Sequence, residues 1–308
     1  MDKKTRLKRL QDLNGNYNAL AIDQRNAIFK MFAKFDEARS KDLAFISSFK
    51  ALVSKNLTPH CSAILLDPIY GLEAIKVKSD RCGLLLALEE SGYSDALRTP
   101  KIMDGMSTKK LKELGADGLK FLLYYDADDV KNNASKQELV REIGKSCEEL
   151  ALPFFLEILV YEQEGDYKHR FAKYDKILAA CKEFSQNKYG VDVLKVEIPI
   201  DMSKTQGFCE EQEFLFSKKE AEEYFLKLNE ACGPVGFVFL SAGVSASMFR
   251  DSLRFAKEAG SKHKGVLCGR ATWAPAVKKF CESEREAALW LQSDGLVNLC
   301  ELSRVLEL

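Results

Sequence analysis

The sequence predicts an α/β fold, a single (β/α)8 TIM barrel in which residues 1–308 form one domain. Eight short apolar runs, bounded by polar segments, are typical of strands that are buried on both faces. The segments between them look helical, and alternation of eight strands with helices over 308 residues is the arrangement of such a barrel. A doubly wound open sheet is the alternative. Neither a Gly-x-Gly-x-x-Gly after the first run nor a Gly-x-x-x-x-Gly-Lys-Ser/Thr occurs, which counts against it.

The eight predicted strands are spaced widely enough for a helix to follow most of them. Each is a short run dominated by Leu, Val, Ile, Ala or Phe. The runs are Tyr17–Asp23, Ser62–Asp67, Gly83–Glu89, Gly118–Tyr125, Pro153–Tyr161, Val193–Pro199, Gly236–Val244 and Lys264–Ala271.

Capping patterns predict where some of the helices begin and end. Ser135-Lys-Gln-Glu138 has the form of a capping box and predicts a helix that runs to about Leu150. Ser217-Lys-Lys-Glu220 predicts another that runs to about Ala231. Glycines stand where three helices are expected to stop: Gly115, Gly233 and Gly260.

The composition excludes several classes of partner and cofactor. Forty-six basic residues balance forty-six acidic ones, so no overall charge favours nucleic acid or a membrane surface, and we expect neither as a partner. Nine cysteines, an odd number without a Cys-x-x-Cys pair, fit reduced thiols in the cytoplasm. The three histidines lie far apart without metal-site spacing, so we expect no metal. A charged N-terminus and the lack of a long apolar run also predict a cytoplasmic protein.

A lysine interrupts the sixth predicted strand. Lys195 lies in Val193-Leu-Lys-Val-Glu-Ile-Pro199, which otherwise reads as buried. Burial disfavours the charged form of an amine, and a neutral amine can attack a carbonyl group to form a Schiff base. Lys195 is therefore the candidate nucleophile. The alternative is a lysine at a strand end whose ammonium group reaches water.

Ionisable residues also interrupt the first, fourth and fifth strands. They are Asp23, Lys120 and Glu157, and Glu197 lies two residues beyond Lys195. Alternate residues of a barrel strand face the interior, where unpaired charges are costly, so such a group indicates a site. A structural layer of salt bridges is the alternative. In a site, Lys120 would repel a charged Lys195, Glu157 would pass protons, and Asp23 would deprotonate a substrate hydroxyl. This is amine-based aldol cleavage, which needs no metal or other cofactor.

Glycine-bearing turns end the seventh and eighth predicted strands. They are Leu240-Ser-Ala-Gly-Val-Ser245 and Leu267-Cys-Gly-Arg-Ala271. The loops after these two strands often bind phosphate in barrel enzymes, because glycine lets backbone N–H groups approach an anion. Arg270 would add a charge-assisted contact. A pair of tight turns without a ligand is the alternative.

These segments resemble the tagatose 1,6-bisphosphate aldolase family, class I aldolases of lactose and galactose breakdown through tagatose 6-phosphate. The matching segments run in order over nearly the whole chain. They are Ala21-Ile-Asp-Gln-Arg25, Leu65-Leu-Asp-Pro-Ile-Tyr-Gly71, Gly83-Leu-Leu-Leu-Ala87, Leu114-Gly-Ala-Asp-Gly-Leu-Lys-Phe-Leu-Leu-Tyr-Tyr-Asp126, Pro153-Phe-Phe-Leu-Glu-Ile-Leu159, Val191-Asp-Val-Leu-Lys-Val-Glu-Ile-Pro199, Leu240-Ser-Ala-Gly-Val-Ser245 and Gly265-Val-Leu-Cys-Gly-Arg-Ala-Thr-Trp273.

The resemblance implies a reaction and a set of site residues. The implied reaction is cleavage of D-tagatose 1,6-bisphosphate to dihydroxyacetone phosphate and D-glyceraldehyde 3-phosphate. Lys195 would form the Schiff base, Glu157 and Lys120 would assist proton transfer, and Asp23 would act on the substrate hydroxyl. Gln24 would lie near the sugar. The implied phosphate contacts are Ser241, Gly243, Gly269 and Arg270. We also expect a homo-oligomer, either a dimer or a tetramer.

Some positions depart from the family pattern and leave other substrates open. Asn26 stands where the family commonly has glycine, the segment after Tyr93 is shorter, and residues 161–172 match loosely. The same lysine chemistry would suit a sulfofructose 1-phosphate aldolase, or a broader ketose-bisphosphate aldolase that also cleaves fructose 1,6-bisphosphate. An alternative of a different class is a sugar-phosphate-binding regulator. Its signature would be loss of the lysine or of its carboxylate partners, and all of these residues are present.

Overall fold

The strands of the chain form a closed barrel. The computed structural model describes residues 1–91, 95, 97–161, 169–210 and 213–307. Among these, eight parallel strands pair in chain order, and the eighth pairs with the first. The predicted (β/α)8 barrel is therefore confirmed. Tyr93 and residues 162–168, which belong to the segments that depart from the family pattern, lie outside the described residues.

Most of the strands are shorter than the apolar runs that predicted them. The polar residues at the ends of several runs, such as Asp23 and Glu89, follow the last residue of the strand. The strands are β1 (Tyr17–Ala21), β2 (Ala63–Leu66), β3 (Gly83–Ala87), β4 (Gly118–Tyr125), β5 (Phe154–Val160), β6 (Val193–Val196), β7 (Gly236–Phe239) and β8 (Gly265–Cys268).

Helices surround the barrel. In the described part of the chain, the α-helices are α1 (Lys3–Arg9), α2 (Asn26–Ala33), α3 (Leu43–Leu57), α4 (Leu72–Val77), α5 (Thr108–Glu113), α6 (Val130–Glu149), α7 (Ala172–Phe184), α8 (Lys218–Cys232), α9 (Ala246–Glu258), α10 (Arg270–Trp273), α11 (Ala276–Glu282), α12 (Glu284–Trp290) and α13 (Leu296–Glu307). Short 3-10 turns occur at Arg39–Lys41, Thr58–His60, Asn187–Tyr189 and Met202–Lys204, and one π-helical turn at Leu291–Gly295. None of these helices is both long and apolar enough to cross a membrane.

One of the two predicted capping boxes is present and the other is wrong. Ser217 and Glu220 cap α8 reciprocally, with each side chain accepting a hydrogen bond from the other residue's backbone N–H. Helix α6 begins five residues before Ser135, because Asp129 caps it by accepting from the N–H of Asn132. Ser135 instead donates its hydroxyl to the Asn132 carbonyl at 3.0 Å. The predicted stops hold, since Gly115, Gly233 and Gly260 follow helix ends with φ of 92°, 54° and 77°.

The barrel interior begins as an apolar layer near the N-terminal ends of the strands. Its members alternate along each strand with residues that face the helices, as the period of two requires. They form a separate buried cluster: Leu10, Tyr17, Ala19, Ala21, Ala63, Leu65, Leu85, Ala87, Phe155, Val193, Val238 and Leu267. Leu10 follows α1 and fills the N-terminal mouth of the barrel. The next interior positions along the strands are therefore the first that can meet a ligand from the open end.

Gly144 of α6 packs directly against the Asn187–Tyr189 turn. A Cβ atom at this position would lie 1.9 Å from the carbonyl oxygen of Tyr189. We expect Gly144→Ala to lower the free energy of unfolding by about 2 kcal/mol, because overpacking against backbone outweighs the roughly 1 kcal/mol gained in helix propensity. Urea titration of the folded variant measures this loss.

Gly236→Ala in β7 is the matched control. A Cβ atom there would lie 3.8 Å from its nearest neighbour, so we expect a change below about 0.5 kcal/mol. A wild-type urea midpoint for Gly144→Ala would contradict the close packing of α6.

Candidate active site

The interior layer above the apolar one is charged. It occupies the same side of each strand, two positions further along than such residues as Ala21, Ala87, Phe155 and Val193. Its members come from β1, β3, β4, β5 and β6 or from the residues directly after them: Asp23, Glu89, Lys120, Glu157 and Lys195. All five are buried. The structure therefore brings together the four residues that the sequence singled out, and it adds Glu89.

Lys120 lies at the centre of this layer. Its Nζ lies 2.7 Å from Oδ2 of Asp23, 2.6 Å from Oε1 of Glu89 and 3.0 Å from Oε2 of Glu157. An ammonium group has three protons, so each of them can be directed at one carboxylate. Lys120 therefore joins the ends of β1, β3 and β5 through one charge.

Glu157 connects Lys120 to Lys195. Its second oxygen, Oε1, lies 2.8 Å from Nζ of Lys195. The backbone accounts for this contact, because Glu157 and Lys195 are paired directly across β5 and β6. Neighbouring strands lie about 4.8 Å apart, so paired side chains on the same face meet with little adjustment.

The charges of the layer shift one another's proton affinities. Burial alone would raise the pKa of Asp23 and of Glu157, but Lys120 and Lys195 outweigh it and hold both pKa values below the usual range. Burial raises the pKa of Glu89, although Lys120 opposes the rise. Burial would lower the pKa of Lys120, but the three carboxylates around it hold that pKa well above its ordinary value. Lys120 therefore stays charged.

Glu89 and its partner Arg25 were missed by reasoning from sequence. Arg25 donates Nη2 to the backbone carbonyl of Glu89 at 2.6 Å and also lies 3.8 Å from its carboxylate. The N–H of Leu122 donates to Oε2 of Glu89 at 3.1 Å. The available signal was the position of Glu89 two residues after Ala87, on the interior face of the third apolar run.

A cavity of about 280 Å³ opens above the charged layer. Lys195 and Glu157 form part of its wall. The side chains of Asp23 and Glu157 keep 10% and 11% of their surface exposed, whereas Lys120 keeps 2% and Glu89 3%. Asp23 and Glu157 are thus the more accessible acids, and the Lys120–Glu89 pair lies behind them. The other lining residues are Ala21, Gln24, Tyr124, Leu159, Val160, Glu197, Leu240, Ser241, Ala242, Leu267, Gly269 and Arg270.

The opposite side of this cavity has the features of an anion site. Arg270 is exposed, and its Nη2 lies 3.3 Å from the place that a Cβ on Gly243 would occupy. Ala242 and Gly243 have φ of 48° and 87°, a left-handed turn that leads to the N-terminus of α9, where Ser245 is the cap. Left-handed turns and helix N-termini direct backbone N–H groups outward. Each glycine in this wall also leaves room for a side-chain amide or guanidinium.

Gln24 stands between the anion site and the charged layer. Its Nε2 lies 3.2 Å from the place that a Cβ on Gly269 would occupy. Within the described residues, the side-chain Oε1 of Gln24 is buried and has no hydrogen-bond partner. A buried acceptor without a partner is costly, so this oxygen is suited to a donor supplied by a ligand.

The three acids of the layer are arranged around an ammonium group. Among the described residues, no set of three or more His, Cys, Asp or Glu side chains is placed to hold a metal ion. Asp23, Glu89 and Glu157 instead converge on Nζ of Lys120.

Several known proteins are similar in sequence to this chain over almost its whole length. Residues 18–275 match the family described as DeoC/LacD family aldolase. The chain belongs to this family. It is an aldolase, and therefore a lyase. Among its relatives, tagatose 1,6-diphosphate aldolase 1 of Enterococcus faecalis is 46% identical, and the match covers 99% of this chain and 94% of that protein. Tagatose 1,6-diphosphate aldolase of Lactococcus lactis subsp. lactis is 42% identical, with 99% and 95% covered.

Solved structures of other aldolases have the same barrel. An archaeal fructose 1,6-bisphosphate aldolase superimposes with a TM-score of 0.61 at 16% identity, covering 93% of this chain and 99% of that one. The fructose-bisphosphate aldolase of Slackia heliotrinireducens gives 0.64 at 15% identity, with 97% and 86% covered. At these identities the likeness establishes the fold alone.

Removing the central ammonium group should destabilise this family member in a pH-dependent way. We expect Lys120→Met to cost about 3–5 kcal/mol at neutral pH, because buried carboxylates lose their shared counter-charge. In the unaltered protein Asp23 and Glu157 have lowered pKa values, so their contribution is complete above about pH 5 to 6 and is lost as pH falls through the folded-state values. Without Lys120 these carboxyls would be easier to protonate, so the deficit should shrink in acid. Urea titrations at neutral and mildly acidic pH measure it.

Lys204→Met is the control for this comparison. It removes an exposed pair with Asp201, and we expect a change below about 0.5 kcal/mol. A deficit of equal size at both pH values in Lys120→Met would show that the three carboxylates do not depend on this charge.

Proposed function

We propose that this chain is a class I aldolase that cleaves D-tagatose 1,6-bisphosphate to dihydroxyacetone phosphate and D-glyceraldehyde 3-phosphate through a Schiff base at Lys195. The observation that carries the proposal is the contact of the Lys195 amine with Glu157, at 2.8 Å, in the wall of a cavity. Relatives that are 42–46% identical are named tagatose 1,6-diphosphate aldolases, which supports this substrate. A role in lactose and galactose breakdown through tagatose 6-phosphate is part of the proposal.

The first chemical stage is formation of the imine. Glu157 takes a proton from the Lys195 ammonium group, and the free amine attacks the C2 carbonyl carbon of the sugar. The carbonyl oxygen accepts this proton from Glu157 to give a carbinolamine. Glu157 then takes a second proton from the nitrogen and passes it to the new hydroxyl group, which leaves as water and gives an iminium ion. Lys120 keeps Glu157 in place through the other carboxylate oxygen, 3.0 Å away.

The second stage is cleavage of the carbon–carbon bond. Asp23 takes the proton of the C4 hydroxyl, and the C4–O group becomes the carbonyl of an aldehyde. The C3–C4 bond breaks, and its electron pair moves toward the iminium nitrogen. Lys120 holds the pKa of Asp23 below its usual range despite burial, so this carboxylate is ionised and ready to accept a proton at neutral pH. Protonation of the enamine at C3 and hydrolysis of the imine release dihydroxyacetone phosphate and restore Lys195.

The phosphate next to the reacting carbonyl binds at the opposite wall. Ser241, Gly243, Gly269 and Arg270 lie around the ends of β7 and β8, where backbone N–H groups and one guanidinium can hold the anion. The side-chain oxygen of Gln24, Oε1, can accept a hydrogen bond from a sugar hydroxyl. Charge-assisted binding here would fix C2 beside Lys195 without a cofactor.

The surroundings of this function are also proposals. We propose that the enzyme acts without a metal or other cofactor, in the cytoplasm, as one domain of residues 1–308 and as a homo-oligomer of two or four chains. A preference for sulfofructose 1-phosphate, or breadth toward fructose 1,6-bisphosphate, would leave Lys195 and its partners unchanged. A sugar-phosphate-binding regulator without turnover is the proposal of another class, and the intact Lys195–Glu157–Lys120 chain of contacts argues against it.

Trapping with borohydride tests the Schiff base directly. With dihydroxyacetone phosphate and sodium borohydride, we expect one covalent adduct by intact mass, located on Lys195 by peptide mapping. Lys195→Ala should give no adduct and lower kcat at least about 1,000-fold, because the nucleophile is absent. Tagatose, fructose and sulfofructose substrates are then compared by kcat/KM.

The exposed-lysine variant Lys204→Met serves as the control and should be labelled like the unaltered enzyme. An adduct that persists in folded Lys195→Ala would sink the assignment of the nucleophile. If the folded wild-type protein forms no adduct, the result would favour the sugar-phosphate-binding regulator over the aldolase.

Loss of the guanidinium at Arg270 should weaken substrate binding. We expect Arg270→Ala to raise KM about 10- to 100-fold with kcat nearly unchanged, because a charge-assisted contact with a non-reacting phosphate serves ground state and transition state alike. Steady-state kinetics separate the two constants. Arg254→Ala, in an exposed pair with Asp251 on α9, is the control and should match the wild type. A fall in kcat at constant KM would place Arg270 in the transition state instead.

A further inference from the structure

A second fully buried lysine lies outside the cavity. Lys50 is on the third helix, α3, and neither its side chain nor that of its partner Asp67 has any exposed surface. Its Nζ donates to the backbone carbonyls of Ile22 and Gln24, each at 2.9 Å, and also to the carboxylate of Asp67. All three protons of this ammonium group are therefore used.

The two carbonyls that Lys50 binds lie on either side of Asp23. Strand β1 ends at Ala21, so ladder hydrogen bonds no longer hold the backbone at residues 22–24 from both sides. Trp273 donates its indole N–H to the carbonyl of Ala21 at 2.9 Å, and Lys50 donates to the carbonyls of Ile22 and Gln24. The peptide groups before Asp23 and after Gln24 are thus each held by a hydrogen bond from Lys50.

Asp67 anchors this lysine to the end of β2. Its Oδ1 accepts from the N–H groups of Ile69 and Tyr70 at 3.0 and 2.7 Å, while Oδ2 contacts Lys50. One ion pair therefore joins α3, the loop after β1 and the loop after β2. The side chains that this backbone carries depend on it for their direction: Asp23 beside Lys120, and Gln24 in the wall of the cavity.

We propose that Lys50 is a positioning residue for carbon–carbon bond cleavage, and that with Asp67 it holds the Asp23–Gln24 backbone so that the Asp23 carboxylate meets the substrate hydroxyl. The inference rests on the proposed function. A buried ion pair is by itself weak evidence for stability, since an apolar pair of similar volume often serves as well. What distinguishes this pair is its hold on two carbonyls that flank a site residue. In the described part of the chain, Glu157 on β5 forms its ion pairs with Lys120 and with Lys195 on β6, and none with Lys50.

The charges agree with this placement. Burial lowers the pKa of Lys50, and Asp67 and then Asp23 act against the decrease. Lys50 in turn is one of the cations that lower the pKa of Asp23, after the opposing effect of burial and behind Lys120 and Lys195. Lys50 and Asp23 therefore influence each other through space as well as through the backbone.

The test measures imine formation and carbon–carbon bond cleavage separately, in variants that leave no unpaired charge at positions 50 and 67. Lys50→Met/Asp67→Asn removes both charges and leaves an amide oxygen at position 67 for the N–H groups of Ile69 and Tyr70. Cleavage is followed by kcat and KM, and imine formation by the rate of borohydride trapping with dihydroxyacetone phosphate. We expect kcat to fall at least tenfold, with KM and the trapping rate within about threefold of the wild type, because Lys195 and Glu157 keep their contact.

Lys50→Arg is the second variant. It keeps the charge beside Asp67, so it protects the fold, but its fork of donors lies elsewhere and cannot reproduce both carbonyl contacts. We expect the same separation of kcat from trapping. Lys55→Met, which removes an exposed lysine from the same helix, is the control and should hold kcat within about threefold.

Either folded variant with wild-type kcat overturns the inference. An equal fall in trapping and cleavage also overturns it, because that result means general disruption of the barrel rather than displacement of Asp23. Trapping of the wild type is the separate check on the proposed function. If the wild type forms the adduct, that function stands, and the kcat of the variants decides the role of Lys50 alone.

Discussion

The ammonium group of Lys120 is the interaction on which the rest of the site depends. Asp23, Glu89 and Glu157 all point into the barrel from different strands, and Lys120 contacts each of them within 3.0 Å. Two like charges about 4 Å apart repel by about 4 kcal/mol at an effective dielectric constant near 20, so three such acids would not remain ionised and ordered without a shared cation. The positive charge comes from β4, between the strands that supply the acids. The order of the strands therefore places the positive charge next to the negative charges that it stabilises.

This arrangement separates charges that maintain the site from charges that are proposed to react. Lys120 and Glu89 are almost without exposed surface, and Arg25 holds Glu89 from the rim. Asp23 and Glu157 are more exposed, and among the acids of this layer that the structure describes, Glu157 is the one with an ion pair to both lysines. A bridging carboxylate with one oxygen on a permanent cation and one on an amine can exchange protons with the amine while it keeps its position. The alternative, a purely structural layer of ion pairs, accounts for Lys120 and Glu89. It does not account for the cavity beside Lys195.

Much of the fold and part of the site follow from the sequence, because both depend on a period of two. Alternation along apolar runs predicts the strands, and the same alternation puts Asp23, Lys120, Glu157 and Lys195 on the inner face. Glu89 escaped notice because an acid at the end of an apolar run resembles an ordinary loop residue, and its role appears only when β3 pairs with β4 and Ala87 comes beside Lys120. Lys50 reads as an exposed lysine on an amphipathic helix. Only the packing of α3 on the barrel places its ammonium group beneath Asp23, a long-range contact that no local pattern encodes.

The direct pairing of Glu157 with Lys195 has a consequence for how such enzymes diversify. Their spacing is set by the backbone pairing of the adjacent strands β5 and β6. The loops that border the cavity at the rim are not part of this pairing. Insertions, deletions and substitutions in the loops can therefore remodel which hydroxyl configuration or terminal anion is accommodated, while the amine and its carboxylate keep their geometry. A change of specificity then requires changes in the loops at the cavity rim and none in the paired strands that hold the amine.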